Sequence, residues 1–142
     1  MKDNSKPTLQ RVLETALYVD DMERSIRFYQ DVMRLEPIHH IPRLCAFSVG
    51  GNSVLLIFQR NSTLEPFETS GGIIPSHNGY GPLHMAFAIT HEDLSAWEKR
   101  LMEHGVEILS QVKWPRGGVS LYFHDPDQHV IELATPGLWS IY

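Results

Sequence analysis

The sequence predicts an α+β fold made of two βαβββ modules within a single domain spanning residues 1–142. Three observations carry this expectation. Strand-like and helix-like periodicities follow the same order in each half of the chain. The halves begin alike: LETALYVDDMERSIRFY aligns with LHMAFAITHEDLSAWEKRL, which places Glu14 over His84. They also end alike: SVLLIF aligns with HVIELA, which places Leu56 over Glu132.

The elements follow in order. From Val12 to Val19 the residues alternate, with Leu13, Thr15, Leu17 and Val19 on one strand face and Val12, Glu14, Ala16 and Tyr18 on the other. Asp20-Asp21 is a helix-start signal, placing side-chain acceptors and negative charge at the first turn. Met22, Ile26, Tyr29 and Met33 recur at helical spacing, which predicts a helix of about three turns. Leu35 to Ile38 leads out of it. Leu44 to Val49 and Ser53 to Phe58 form two strands turned by Gly50-Gly51-Asn52.

The second module repeats the order. Leu83 to Ile89 is an apolar strand, and His91-Glu92-Asp93 opens a helix carrying Leu94, Trp97, Leu101 and Met102. His104-Gly105 closes it, with glycine in the usual position after a helix. Val106 to Leu109 follows as the next strand. Val119 to Phe123 and His129 to Ala134 pair across the turn Asp125-Pro126-Asp127-Gln128. Module one thus covers about 9–60 and module two about 82–136. Between them, 61–81 is rich in Gly and Pro and reads as a loop, either a plain linker or a lid. The tail, 137–142, holds Leu138, Trp139, Ile141 and Tyr142, and is apolar enough to pack on this chain or on a partner chain.

Seventeen acidic against twelve basic residues give a formal charge of −5. Phosphate backbones require clustered Lys and Arg, and no such cluster exists, so nucleic acid is excluded as a main partner. No segment reaches the apolar length of a membrane span, and Met1 to Lys6 is polar rather than signal-like. A cytoplasmic protein is the expectation. The one cysteine, Cys45, sits in an apolar run and reads as a small buried hydrophobe rather than a catalytic thiol.

Three polar residues stand out against this background. Glu132 lies between Ile131 and Leu133, His84 between Leu83 and Met85, and Glu14 between Leu13 and Thr15. A buried carboxylate needs a cation, a metal or a proton. Singly, each has an ordinary explanation: a strand Glu usually faces water, and a strand His is usually a hydrogen-bonded structural residue. Jointly they do not, because Glu14 and His84 occupy the same position in the two repeats. One imidazole and two carboxylates suit a hard or borderline divalent ion, and three protein ligands leave positions open for substrate.

The segments LETALYVDDMERSIRFYQDVMRL, GPLHMAFAI and GGVSLYFHDPDQHVIELATPG resemble the vicinal oxygen chelate superfamily from about Leu9 to Pro136. The last segment is the most specific, being similar to that family's strand, DPDGH-type turn and strand ending in a metal-binding Glu. The resemblance implies two βαβββ modules whose mixed sheet curls around a metal cavity. It implies Glu14, His84 and Glu132 as ligands of a divalent ion (Mn, Ni, Zn, Mg or Fe), with Glu132 and Tyr122 catalytic. Leu56 stands where glyoxalase I has a fourth ligand. Three ligands are closer to the fosfomycin-resistance thiol transferases and the extradiol dioxygenases, which usually carry His at the position of Glu14. Tyr122, ten residues before Glu132, contacts substrate in those relatives. Arg116 is the candidate to hold an anionic substrate group. Gln128 replaces the family's turn glycine and would be strained if φ is positive there. A homodimer is implied, some relatives pairing modules across chains.

The function implied is electrophilic activation of a small oxygenated molecule by a glyoxalase-like lyase or isomerase, or by a thiol transferase. An Fe(II) or Mn(II) dioxygenase is the alternative, and a metal-free drug-binding protein is the third.

Overall fold

The computed structural model describes residues 1 and 5–142, so the polar segment Met1 to Lys6 lies partly outside the described residues. Module one runs β1 (Glu14–Val19), α1 (Met22–Arg27), a π-helical turn (Phe28–Val32), β2 (Glu36–Ile41), β3 (Leu44–Val49) and β4 (Ser53–Gln59). A small hairpin, β5 (Phe67–Thr69) and β6 (Gly72–Ile74), follows. Module two runs β7 (His84–Ala88), α2 (Leu94–Glu103), β8 (Ser110–Lys113), β9 (Val119–His124) and β10 (Val130–Ala134).

Each module makes a four-stranded mixed sheet with the same topology, β1-β4-β3-β2 and β7-β10-β9-β8. The first strand pairs parallel with the last, and the others pair antiparallel. The repeat read from the sequence extends to the register. Glu14 and His84 each open an edge strand, opposite Val54 and Val130. Leu56 faces Ala16 as Glu132 faces Ala86.

Alternation along the strands sends one face of each sheet into a common core. Leu17, Val19, Phe47, Leu55 and Ile57 from the first sheet meet Leu121, Phe123, Ile131 and Leu133 from the second, around Tyr29, Met33 and Leu101. Cys45 is buried there too, as a small apolar residue, and burial pushes its thiol pKa up. The opposite faces carry Glu14, Ala16 and Leu56 on one sheet, and His84, Ala86, Tyr122 and Glu132 on the other. The two outer faces therefore lie back to back across one core.

Polar contacts bind the modules together. The Tyr29 hydroxyl donates to Asp125 Oδ2 at 2.6 Å, and the Ser25 hydroxyl donates to Asp127 Oδ2 at 3.0 Å. Burial pushes Asp125 above the ordinary carboxylate range. It pushes the Tyr29 phenol well above its usual value, and the Asp125 charge adds to that. His129, fully buried, accepts the Leu83 N–H on Nδ1 at 2.9 Å, so Nε2 carries the proton and donates to the Tyr18 carbonyl at 2.8 Å.

Several elements differ from the sequence expectation. Asp21 does cap α1, accepting the Arg24 N–H at 3.0 Å, but the helix widens after Arg27. The Met33 N–H reaches the Phe28 carbonyl at 3.2 Å, an i→i+5 bond, so Tyr29, Val32 and Met33 all reach the core. The segment between the modules is not wholly loop, because β5 and β6 lie within it. The strand expected at Val106–Leu109 forms later, as β8. The Val106 N–H is still bonded to the Leu101 carbonyl of α2, so this stretch forms the helix exit. The tail folds back on this chain: the Tyr142 hydroxyl donates to the carbonyls of Ile89 at 3.0 Å and Ala134 at 2.9 Å. Trp139 and Ile141 remain exposed. Among the described residues no helix is long and apolar enough to cross a membrane.

Candidate metal centre

Strand pairing places His84, Glu132 and Tyr122 together on the outer face of the second sheet. Glu132 sits on β10 between Ala86 of β7 and Tyr122 of β9. His84 opens β7 two residues earlier, on the same face. Its Nε2 lies 3.2 Å from Glu132 Oε1. The His84 and Tyr122 rings stack at 6.2 Å between centroids. Glu132 is 4 % exposed, whereas His84 is open to solvent.

The protons on this pair are informative. His84 Nδ1 lies 2.9 Å from the Val130 carbonyl, which can only accept, so Nδ1 carries the hydrogen. In the neutral imidazole Nε2 then presents a lone pair, and it is aimed at a carboxylate oxygen. Two acceptors facing each other at this distance need a positive centre between them or a second proton on the ring. A backbone carbonyl fixing the far nitrogen is also the usual arrangement behind a metal-ligating histidine. The donor set, one imidazole nitrogen and one carboxylate oxygen, fits a divalent cation.

Burial, followed by the Glu132 charge, pushes the Tyr122 phenol above its ordinary pKa. Arg116 lies on the exposed turn between β8 and β9, with no hydrogen bond or ion pair of its own among the described residues. Glu14 stands apart. It is exposed at the start of β1, on the outer face of the first sheet. Among the described residues of one chain, no three His, Cys, Asp or Glu side chains come together as a metal-holding group. The structure thus assembles two of the three expected ligands and leaves the third on the opposite sheet.

Sequence reasoning missed two residues at this site. Ser120 is fully buried and donates to Glu132 Oε2 at 2.5 Å. Trp114 donates its indole N–H to Ser120 Oγ at 2.8 Å. Ser120 was legible in principle, being two residues before Tyr122 on one strand and so on its face. Trp114 gave no signal, since its approach depends on how the turn after β8 folds.

The profile of the Glyoxalase/Bleomycin resistance protein/Dioxygenase superfamily matches residues 11–133. The chain belongs to this superfamily. It is 34% identical over 118 residues to the metallothiol transferase FosB of Bacillus licheniformis, covering 82% of this chain and 70% of that protein. It is 30% identical to the glutathione transferase FosA of Serratia marcescens, covering 92% of this chain and 84% of the relative. Among solved structures, lactoylglutathione lyase from Agrobacterium tumefaciens superposes with a TM-score of 0.84 at 29% identity, covering 95% and 99% of the two chains. These superfamily relatives are enzymes, and their names place metal-dependent thiol transfer and glutathione chemistry in the same fold. The α+β architecture of curled mixed sheets agrees with these neighbours.

Proposed function

We propose that this protein is a divalent-metal-dependent enzyme that transfers a thiol to a small oxygenated substrate, with the ion held by His84 and Glu132 of one chain and Glu14 of a second copy. The observation that carries the reading is the approach of His84 Nε2 to Glu132 Oε1 at 3.2 Å, with the far ring nitrogen held by the Val130 carbonyl. The FosB and FosA relatives favour thiol transfer over ring cleavage. A glyoxalase-like lyase is the second reading, supported by the fit to lactoylglutathione lyase.

The second copy follows from the faces. β1 and β7 are both edge strands, each bonded on one side only. Their functional faces look away from a shared core, so Glu14 and His84 of one chain do not converge. Two chains related by a two-fold axis can set β1 of one beside β7 of the other, which makes two equal sites. The bound ion would polarise substrate oxygen and stabilise the negative charge that develops there. His84 and Glu132 would hold it. Tyr122, kept protonated, would orient substrate through its hydroxyl or supply a proton. Arg116, on the exposed turn between β8 and β9, would be the group to meet an anionic substituent. Mn²⁺, Ni²⁺, Zn²⁺, Mg²⁺ and Fe²⁺ all suit this donor set.

The experiment is complementation. Glu14→Ala and Glu132→Ala chains are purified separately, then unfolded and refolded together, and bound Mn²⁺ and thiol consumption with fosfomycin and glutathione are measured. Each variant alone is expected to lose both signals. Random pairing makes half the dimers mixed, each with one intact site of two, so about a quarter of the metal capacity should return. Two inactive variants with no recovery on mixing would refute the shared site. A parent protein that binds none of these ions would refute the metal reading itself.

A further inference from the structure

Glu132 has two carboxylate oxygens, and the structure treats them differently. Oε1 faces His84. Oε2 faces away from it and accepts from Ser120 at 2.5 Å. The hydroxyl of Ser120 has one proton to give, and Trp114 decides where it goes. An indole N–H only donates, so at 2.8 Å it occupies a lone pair of Ser120 Oγ and turns the hydroxyl proton toward the carboxylate. The chain Trp114→Ser120→Glu132 is therefore directional.

Its members are held firmly. Ser120 is fully buried, one β9 residue along from Leu121 of the core and opposite Ala134 of β10. Trp114 begins the tight turn after β8, where its N–H donates to the Gly118 carbonyl at 2.8 Å and its carbonyl accepts the Gly117 N–H at 2.9 Å. That turn rests on the segment after β10, since a Cβ at Gly118 would lie 2.6 Å from the Gly137 carbonyl carbon. The backbone that carries the indole is thereby fixed beside Ser120.

We propose that Trp114 and Ser120 are positioning residues that hold Glu132 as a one-oxygen ligand, occupying Oε2 so that Oε1 alone is presented beside His84. This rests on the metal reading above. It assigns the hydroxyl and the indole a task that neither would have as packing residues. A hydroxyl clamp on the outer oxygen keeps the carboxylate from rotating to chelate with both oxygens, which would consume a coordination position that substrate needs.

The test uses the full-length protein loaded with Mn²⁺ or Co²⁺, comparing Ser120→Ala, Ser120→Thr and Trp114→Phe with the parent. Mn²⁺ affinity is read by titration, and the Co²⁺ absorption band reads ligand geometry independently of turnover. Loss of such an outer hydrogen bond typically weakens metal binding about 10–100-fold. Ser120→Ala is expected in that range with an altered Co²⁺ spectrum. Ser120→Thr, which keeps the hydroxyl, should recover most of the affinity. Trp114→Phe should lose about fivefold, the worth of one neutral hydrogen bond. Unfolding midpoints of the metal-free proteins establish that each variant folds. If the parent binds metal while folded Ser120→Ala keeps parental affinity and spectrum, the positioning role is refuted and the metal site stands. If the parent binds no metal, both fall together.

Discussion

Replacing Tyr29 by Phe removes one hydroxyl and leaves the ring that packs the core. Tyr29 is 0 % exposed, and its hydroxyl donates to Asp125 Oδ2 at 2.6 Å. A hydrogen bond to a charged group contributes about 1.5–3 kcal/mol. Asp125 Oδ1 would keep the backbone N–H groups of Asp127 and His129, both at 2.9 Å, so the carboxylate is not stripped of donors. A deficit of about 2 kcal/mol at neutral pH is expected. The pH dependence has a definite sign. Burial raises the folded pKa of Asp125, and the Tyr29 hydrogen bond pulls it part of the way back. Without the hydroxyl the folded pKa rises further above the unfolded one. Below the unfolded pKa the group is protonated in both states and ionisation costs nothing. As pH rises through the folded pKa, the folded state must carry a poorly solvated charge and stability is lost. The variant's deficit should therefore be smallest in acid and grow toward neutrality. Urea unfolding of both proteins at one concentration, from about pH 4 to about pH 8, measures it. A deficit below about 0.5 kcal/mol, or one that is flat with pH, would refute the account of this contact.

Two further outcomes follow from backbone and packing. Gln128 sits at φ 66° in the turn before β10, the left-handed region that glycine enters freely. Gln128→Gly should raise stability by about 0.5–1 kcal/mol, strain relief being partly offset by chain entropy. A thermal or urea midpoint that falls would contradict this. At Gly81 a Cβ would lie 2.3 Å from His129 Cε1, in a ring pinned at both nitrogens. Gly81→Ala should cost about 1–3 kcal/mol and shift the His129 ring resonances, and an unperturbed His129 spectrum would sink the idea.

The sequence was most readable where one residue's period decided one element. β1, β3, β4, β7, β9 and β10 fall within about two residues of their predicted ranges, because alternating burial marks a strand wherever one face meets a core. The Glu14/His84 correspondence was legible for the same reason, and so was the φ of Gln128, since a turn glycine is a backbone requirement rather than a side-chain one. What escaped was set by contacts distant in sequence. The π-helical turn depends on drawing Tyr29 toward Asp125, nearly a hundred residues away. The late start of β8 depends on how α2 unwinds. The β5–β6 hairpin is too short for periodicity to register. Ser120 and Trp114 act through hydrogen bonds whose geometry no spacing rule encodes. The arrangement of Glu14 relative to His84 was hidden too, because the repeat specifies which strand each opens but not which way the two sheets face.

Leu56 stands where its counterpart Glu132 carries a charge, each opposite an alanine of the neighbouring strand. The duplication is therefore symmetric in backbone and lopsided in chemistry. One wall offers hydrocarbon from Ala16, Leu56 and Phe58, and the other offers imidazole, carboxylate and phenol. In the proposed two-copy site, where the first module of one chain would meet the second module of its partner, a molecule between the walls would have one comfortable way to lie, with its carbon skeleton against the first module and its oxygens toward the second. Two halves alike in topology have in this way given up interchangeability and acquired a sense of direction.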